Sequence, residues 1–221
     1  MKLKHSIEND EPPPRRHFRL AALVVAASSS LFAVSATSVA AAVEPPRVAR
    51  VENPVVALAQ DALVFLRGSG DDQALYPAKR DLVAAAVASG LAIDPALMSA
   101  AWASADLEHQ QAVLTGLTQL GVPYRRNTST PGVGFDCSGL TTYAWAGAGV
   151  TLVRQSSAQI QAAAPRTVET AQAGDLMQYP GHVMMWLGVG RAALQAPNPG
   201  RTVEVVLYRS GRRVRVGDPT G

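Results

Sequence analysis

The chain has 221 residues, of which 48% are apolar and 17% charged, room for one compact domain with additions and too apolar a mixture for a disordered polymer. Its formal charge of +3 is gathered at the start, because residues 1–42 carry five Lys or Arg against three Asp or Glu and leave 15 against 14 downstream. That balance excludes the basic footprint of a nucleic-acid-binding surface, and no nucleic-acid partner is expected.

In chain order, a basic patch of Arg15, Arg16, His17, Phe18 and Arg19 precedes the uncharged residues 20–43, with the small residues Ala36, Ser38, Ala40, Ala41 and Ala42 at the far end. This is the layout of an export signal with an A-x-A-like cleavage region. Arg15-Arg16-His17-Phe18 also resembles a twin-arginine signal. Residues 1–42 are therefore expected to direct the protein out of the cell, to be secreted or wall-associated. The alternative is a retained anchor, since about 20 apolar residues suffice to span a bilayer; contact with a membrane is expected only through this segment, if it is uncleaved.

Glu44-Pro45-Pro46 through Pro54 reads as a linker. Val55, Leu58, Ala59, Ala62, Leu63 and Leu66 then recur at helical spacing and stop at Gly68-Ser69-Gly70-Asp71-Asp72. A second helix is predicted over residues 79–89, ending at Gly90. Asp94-Pro95 has the pattern of an N-cap with Pro in the first helical position, opening a helix that runs toward Leu120 with a break near Ser104. His109, inside Glu108-His109-Gln110-Gln111, is predicted to be solvated on the helix surface. Residues 43–104 form a linker and helical region without recognisable chemistry, and residues 105–221 the main domain.

After Pro123 the texture changes. Residues 125–134 are a loop of Arg, Asn, Thr, Ser, Pro and Gly, and Asp136-Cys137-Ser138-Gly139 then opens a helix with Leu140, Tyr143, Ala144 and Ala148 on one face. Strand patterns follow at residues 175–179, 182–187, 192–196 and 202–208. A helix bearing the thiol and a meander of antiparallel strands make an α+β domain.

Cys137 is the single cysteine, so no intrachain disulfide forms, and an unpaired thiol in an exported protein is either a buried small hydrophobe or a reactive group. At a helix start it faces the positive end of the macrodipole and unpaired N–H groups, both of which favour a sulfur anion. Downstream of the export signal the sequence offers His109 and His182 as bases. His182 follows Pro180-Gly181 and enters the apolar run Val183-Met184-Met185-Trp186-Leu187, a rigid placement that suits a general base. A third group commonly orients the imidazole. Gln195 is the candidate by register: a two-residue connection at Gly188-Val189 would oppose it directly to His182, a four-residue one would keep it on the same face, and a three-residue one would put it on the other. The lone Cys and widely separated His give no ligand pair at zinc spacing, so no metal and no cofactor are expected.

At these residues the sequence resembles the NlpC-type (NlpC/P60) family of papain-like cell-wall cysteine peptidases. The resemblance runs through Leu120-Gly121-Val122-Pro123-Tyr124, Phe135-Asp136-Cys137-Ser138-Gly139-Leu140, Arg154-Gln155-Ser156-Ser157-Ala158-Gln159, Ala173-Gly174-Asp175-Leu176 and Gly181-His182-Val183 with Leu187-Gly188, in family order over about half the chain. It implies a papain-like α+β fold, with the nucleophile-bearing helix packed on an antiparallel sheet and preceded here by a small helical region. It implies a triad of Cys137, His182 and Gln195. It also implies that the Tyr124 hydroxyl faces the nucleophile pocket, and that Asp136 and Ser138 help bind the peptide terminus where substrates have a free amine.

The implied reaction is hydrolysis of the bond between D-glutamate and a diamino acid in peptidoglycan stem peptides, by thiolate attack, a thioester and its hydrolysis, in a monomer. Two departures stand out. Arg125-Arg126-Asn127-Thr128 replaces the family's Gly-rich loop, and the third catalytic position is an amide one residue further from the base than usual. These keep two alternatives open, a wall-binding or regulatory protein of the same fold and an amidase or acyl-transferring relative.

Overall fold

The computed structural model describes residues 53–208 and 213–221. The basic patch, the apolar run and most of the proline-rich linker fall outside these residues, and with them the expected export signal. Among the described residues, no helix is long and apolar enough to cross a membrane.

Four helices come first. α1 (Pro54–Arg67) begins where the Asn53 side chain accepts the Val55 N–H at 3.0 Å, and it buries Val55, Ala59, Ala62, Leu63 and Leu66 as one stripe. α2 (Asp71–Gly90) ends at the expected glycine but begins at Asp71, well before Lys79. The glycine-rich stretch therefore separates the helices only as far as Gly70. Pro77 lies inside α2; it removes one backbone bond, and packing of the helix against its neighbours outweighs that local cost. α3 (Pro95–Ala103) is capped by Asp94, which accepts the Ala96 N–H at 2.9 Å. After the expected break, α4 (Leu107–Leu117) follows.

A two-stranded ribbon, β1 (Ser129–Thr130) and β2 (Gly134–Phe135), leads into α5 (Cys137–Ala146), and a short α6 (Ser156–Ala162) comes next. The remaining strands are β3 (Ala164–Arg166), β4 (Leu176–Tyr179), β5 (His182–Trp186), β6 (Ala192–Gln195), β7 (Glu204–Leu207) and β8 (Arg215–Asp218), in the spatial order β3-β8-β4-β5-β6-β7. β4 to β7 are the expected meander. β8 returns to lie between β3 and β4, antiparallel to both, a pairing that local pattern does not announce.

α5 packs against β5, and one buried cluster joins side chains of α1 to α5 with one face of the sheet, among them Val83, Trp102, Leu114, Leu140, Trp145, Met185 and Leu194. The other face of the sheet has a smaller cluster of Met177, Met184, Trp186 and Ala193. β5 is therefore buried along its whole length, which explains its unbroken apolar run. Trp102 of α3 donates its indole N–H to the Leu187 carbonyl at 2.9 Å, tying the helices to the end of β5. The architecture is the expected α+β one, a thiol-bearing helix on an antiparallel sheet preceded by helices.

Candidate active site

Cys137 is the first residue of α5 because Asp136 caps the helix: its Oδ1 accepts the Gly139 N–H at 2.7 Å, a contact worth about 1 kcal/mol to the helix. The 125–134 loop is drawn tightly over this first turn. A Cβ built on Gly139 would lie 2.1 Å from the Thr128 carbonyl oxygen, so only glycine fits there, and Ser129 Oγ donates to the Gly139 carbonyl at 2.8 Å. The Cys137 side chain is partly exposed, a free thiol at the positive end of the helix.

His182 opens β5, the strand on which α5 packs. Pro180-Gly181 turns the chain in two residues, with Gly181 at φ 85, and sets Tyr179 across from His182, their rings 5.2 Å apart. The imidazole is only 6% exposed. Its Nε2 lies 2.8 Å from Gln195 Oε1. An amide oxygen only accepts, so Nε2 carries the proton and, in the neutral ring, Nδ1 does not.

The connection between these strands has four residues, 188–191, closed by the Leu187 N–H on the Ala192 carbonyl at 3.0 Å, with Met185 opposite Leu194 and Trp186 opposite Ala193. Gln195 is therefore diagonal to His182 rather than directly opposed, and on the same face. Its amide nitrogen donates to Glu204 Oε1 at 3.0 Å, its register partner on β7, and Glu204 is in turn paired with Arg201.

Tyr124 stands within electrostatic reach of both Cys137 and Asp136. Burial first, then electrostatic interaction with those two side chains, pushes its hydroxyl above the usual tyrosine value and keeps it a proton donor. Both Asp136 oxygens are engaged. Oδ2 accepts the Asn127 N–H and an Arg154 N–H, each at 2.7 Å, while the same guanidinium donates to Ser138 Oγ at 2.7 Å. Arg154 and Glu204 thus stand at the site without having been singled out in the sequence. Arg154 sits in the quoted Arg154-Gln155-Ser156 motif, a signal that was available; Glu204 becomes visible only once the β6–β7 register is known.

His109 corrects the sequence reading. It is fully buried, with Nε2 at 3.1 Å from Asp175 Oδ1 and 3.3 Å from Asp218 Oδ1, and its ring meets Trp145 edge to face at 4.8 Å. The polar neighbours that suggested a solvated helix face are buried in part too: Gln110 accepts from the Tyr76 hydroxyl at 2.7 Å and donates to the Ala105 carbonyl. Burial opposes ionisation of Asp218, but the Arg166 guanidinium and the hydroxyl and N–H of Thr220 hold its carboxyl below the ordinary value. The donor atoms of His109, Asp175 and Asp218 lie within 4.8 Å of one another, near enough for a metal ion. The Arg166 cation and the shared imidazole N–H already balance the two carboxylates, so the set reads as an ion network.

Residues 121–212 match the model of the NlpC/P60 family. Over 117 residues the chain is 35% identical to the peptidoglycan endopeptidase RipA of Mycolicibacterium smegmatis, covering 46% of this chain and 23% of that protein. It is 39% identical over 79 residues to the bifunctional muramidase/DL-endopeptidase CwlT of Bacillus subtilis, covering 32% of this chain and 24% of that protein. The match thus spans about a quarter of the length of these curated relatives. Among solved structures, RipD of Mycobacterium tuberculosis, described as a non-catalytic NlpC/p60 domain protein adapted to peptidoglycan binding, is 31% identical with a TM-score of 0.43, covering 51% of this chain and 98% of that one. The P60 domain of a Mycobacterium avium subspecies paratuberculosis antigen is 30% identical with a TM-score of 0.46, covering 52% and 96%.

Proposed function

The chain belongs to the NlpC/P60 family, and from that premise we propose that it is an exported cysteine peptidase of the cell wall, cleaving the D-glutamyl–diamino acid bond of peptidoglycan stem peptides. Residues 1–42 serve as the export signal, residues 43–104 as a linker and helical region, and residues 105–221 as the peptidase domain. The observation that carries the reading is the 2.8 Å bond from His182 Nε2 to Gln195 Oε1. It fixes the imidazole at the start of the strand that supports the Cys137 helix, with Nδ1 as the nitrogen able to take a proton.

In this reading His182 draws the proton from Cys137, and the sulfur attacks the amide carbonyl to form a thioester. The imidazolium protonates the departing amine, and a water activated by His182 then releases the acyl product and regenerates the thiol. The Cys137 N–H, in the first turn of α5, supports the developing oxyanion. Tyr124 donates from its neutral hydroxyl, and Asp136 and Ser138 line the adjoining wall. Because Arg154 is bound to Asp136, that wall offers a peptide a neutralised ion pair rather than a bare carboxylate.

The test is digestion of defined muropeptides, with product masses read by mass spectrometry. Wild-type protein is expected to release fragments separated at the D-glutamyl–diamino acid bond, and Cys137→Ala to release none. Cleavage that persists in Cys137→Ala eliminates the mechanism. Masses showing loss of a whole stem or transfer of an acyl group would instead identify an amidase or acyltransferase. A wall-binding role is the second reading, favoured by the 31% identity to the non-catalytic RipD; sedimentation with purified sacculi without cleavage would select it.

A further inference from the structure

We infer that Glu204 is a positioning residue for catalysis, setting the His182 tautomer through the side chain of Gln195. This rests on the peptidase reading above. A glutamine amide has an accepting end and a donating end, and a half turn about its last bond exchanges them at little cost in volume. If Gln195 presented its NH2 to His182, Nε2 would have to accept, the ring proton would move to Nδ1, and the nitrogen needed as base would be blocked. Glutamine alone does not choose between these states.

Glu204 makes the choice. It faces Gln195 directly across β6 and β7, its side chain is 18% exposed, and its Oε1 takes the amide N–H at 3.0 Å. An ionised carboxylate has only acceptors, so it selects the nitrogen end of the amide and sends the oxygen end to His182 Nε2, where it is found at 2.8 Å. Arg201, on the other oxygen, holds the carboxylate in place. The arrangement also puts a negative charge one side chain behind the imidazole. It serves in place of a carboxylate touching the ring, stabilising the imidazolium from further away.

The experiment compares wild type with Glu204→Gln, a near-isosteric change whose amide can either accept or donate. Imidazole 15N shifts of His182 are recorded in the neutral ring, and kcat/KM against pH is measured on a stem peptide. The proposal expects wild type to hold the Nε2–H tautomer and Glu204→Gln to show a mixture of the two. It expects kcat/KM to fall by roughly ten- to a hundredfold, the range of a charge-assisted hydrogen bond, mostly in kcat. With the remote charge gone, the acid limb of the pH profile, which follows loss of the imidazolium proton from His182, is expected to move to lower pH. The double variant Gln195→Glu, Glu204→Gln restores a donor–acceptor pair in the reverse sense and should recover most of the activity. A folded Glu204→Gln with the wild-type tautomer and an unmoved pH limb overturns the proposal, as does a double variant no better than the single one. The tautomer is read without turnover, so a wild-type protein that cleaves nothing sinks the peptidase reading while the role of Glu204 is still decided.

Discussion

His109 and His182 are both nearly sealed from solvent, at 0% and 6% exposure, yet their surroundings suit opposite tasks. Around His109 the protein places two carboxylates and, behind them, the Arg166 cation, while the other ring nitrogen finds no partner among the described residues. Around His182 it places a neutral amide, with the negative charge of Glu204 one side chain back, at the start of the strand on which α5 packs. Two carboxylates on one imidazole nitrogen suit a fixed joint; in the proposed peptidase the ring bonded to an amide is the one that exchanges a proton. Burial alone does not separate these two histidines, whereas the chemical type of their neighbours does.

The largest effect that would sharpen this contrast is at His182. His182→Ala is expected to lower kcat/KM by roughly 10²–10⁴, the usual share of a positioned acid–base group, with the melting temperature nearly unchanged. A variant retaining a tenth or more of wild-type turnover would break the assignment. His109→Ala should do the reverse. Removing the ring leaves Asp175 and Asp218 facing each other in the core, a loss of about 3–5 kcal/mol read by urea unfolding, with turnover per folded molecule preserved.

The smallest effect is in acid. Because the Asp218 carboxyl titrates below its unfolded value, its contribution to stability is complete above about pH 4 and disappears as the pH falls through the lower folded value. Thermal melts from pH 6 to pH 2 should therefore fall more steeply for wild type than for Asp218→Asn. Parallel curves would mean that the network is not carrying that linkage.

Much of this was legible beforehand wherever the cause is local. Asp94 before Pro95, Asp136 before Cys137 and Pro180-Gly181 before His182 each determine a helix start or a turn within a few residues, and β4 to β7 came out close to their expected bounds. The pairing of Gln195 with His182 also followed, because strand alternation allows only same-face partners for the observed four-residue connection. What escaped depends on distant partners. His109 reads as a surface residue beside Glu108, Gln110 and Gln111 until Asp175 and Asp218 are brought to it from 66 and 109 positions away. The start of α2 was hidden by Pro77 and the glycines before it, whose local preference is overridden by packing against α1 and α3. Glu204 was not singled out, since nothing in its neighbours states which residue it will face.

The place of β8 sets the order in which the sheet can be completed. It follows all the other described strands in sequence yet occupies an interior position, between β3 and β4. As the polypeptide leaves the ribosome, β4 to β7 can zip as neighbours, while one edge of β4 and the whole of β3 stay unmated until residues 215–218 have emerged. Asp218 arrives with that strand, so the anchor beneath His109 is also the last to form. A nascent chain stalled before this point would show open strand edges, the surface that chaperones and neighbouring unfinished chains bind most readily.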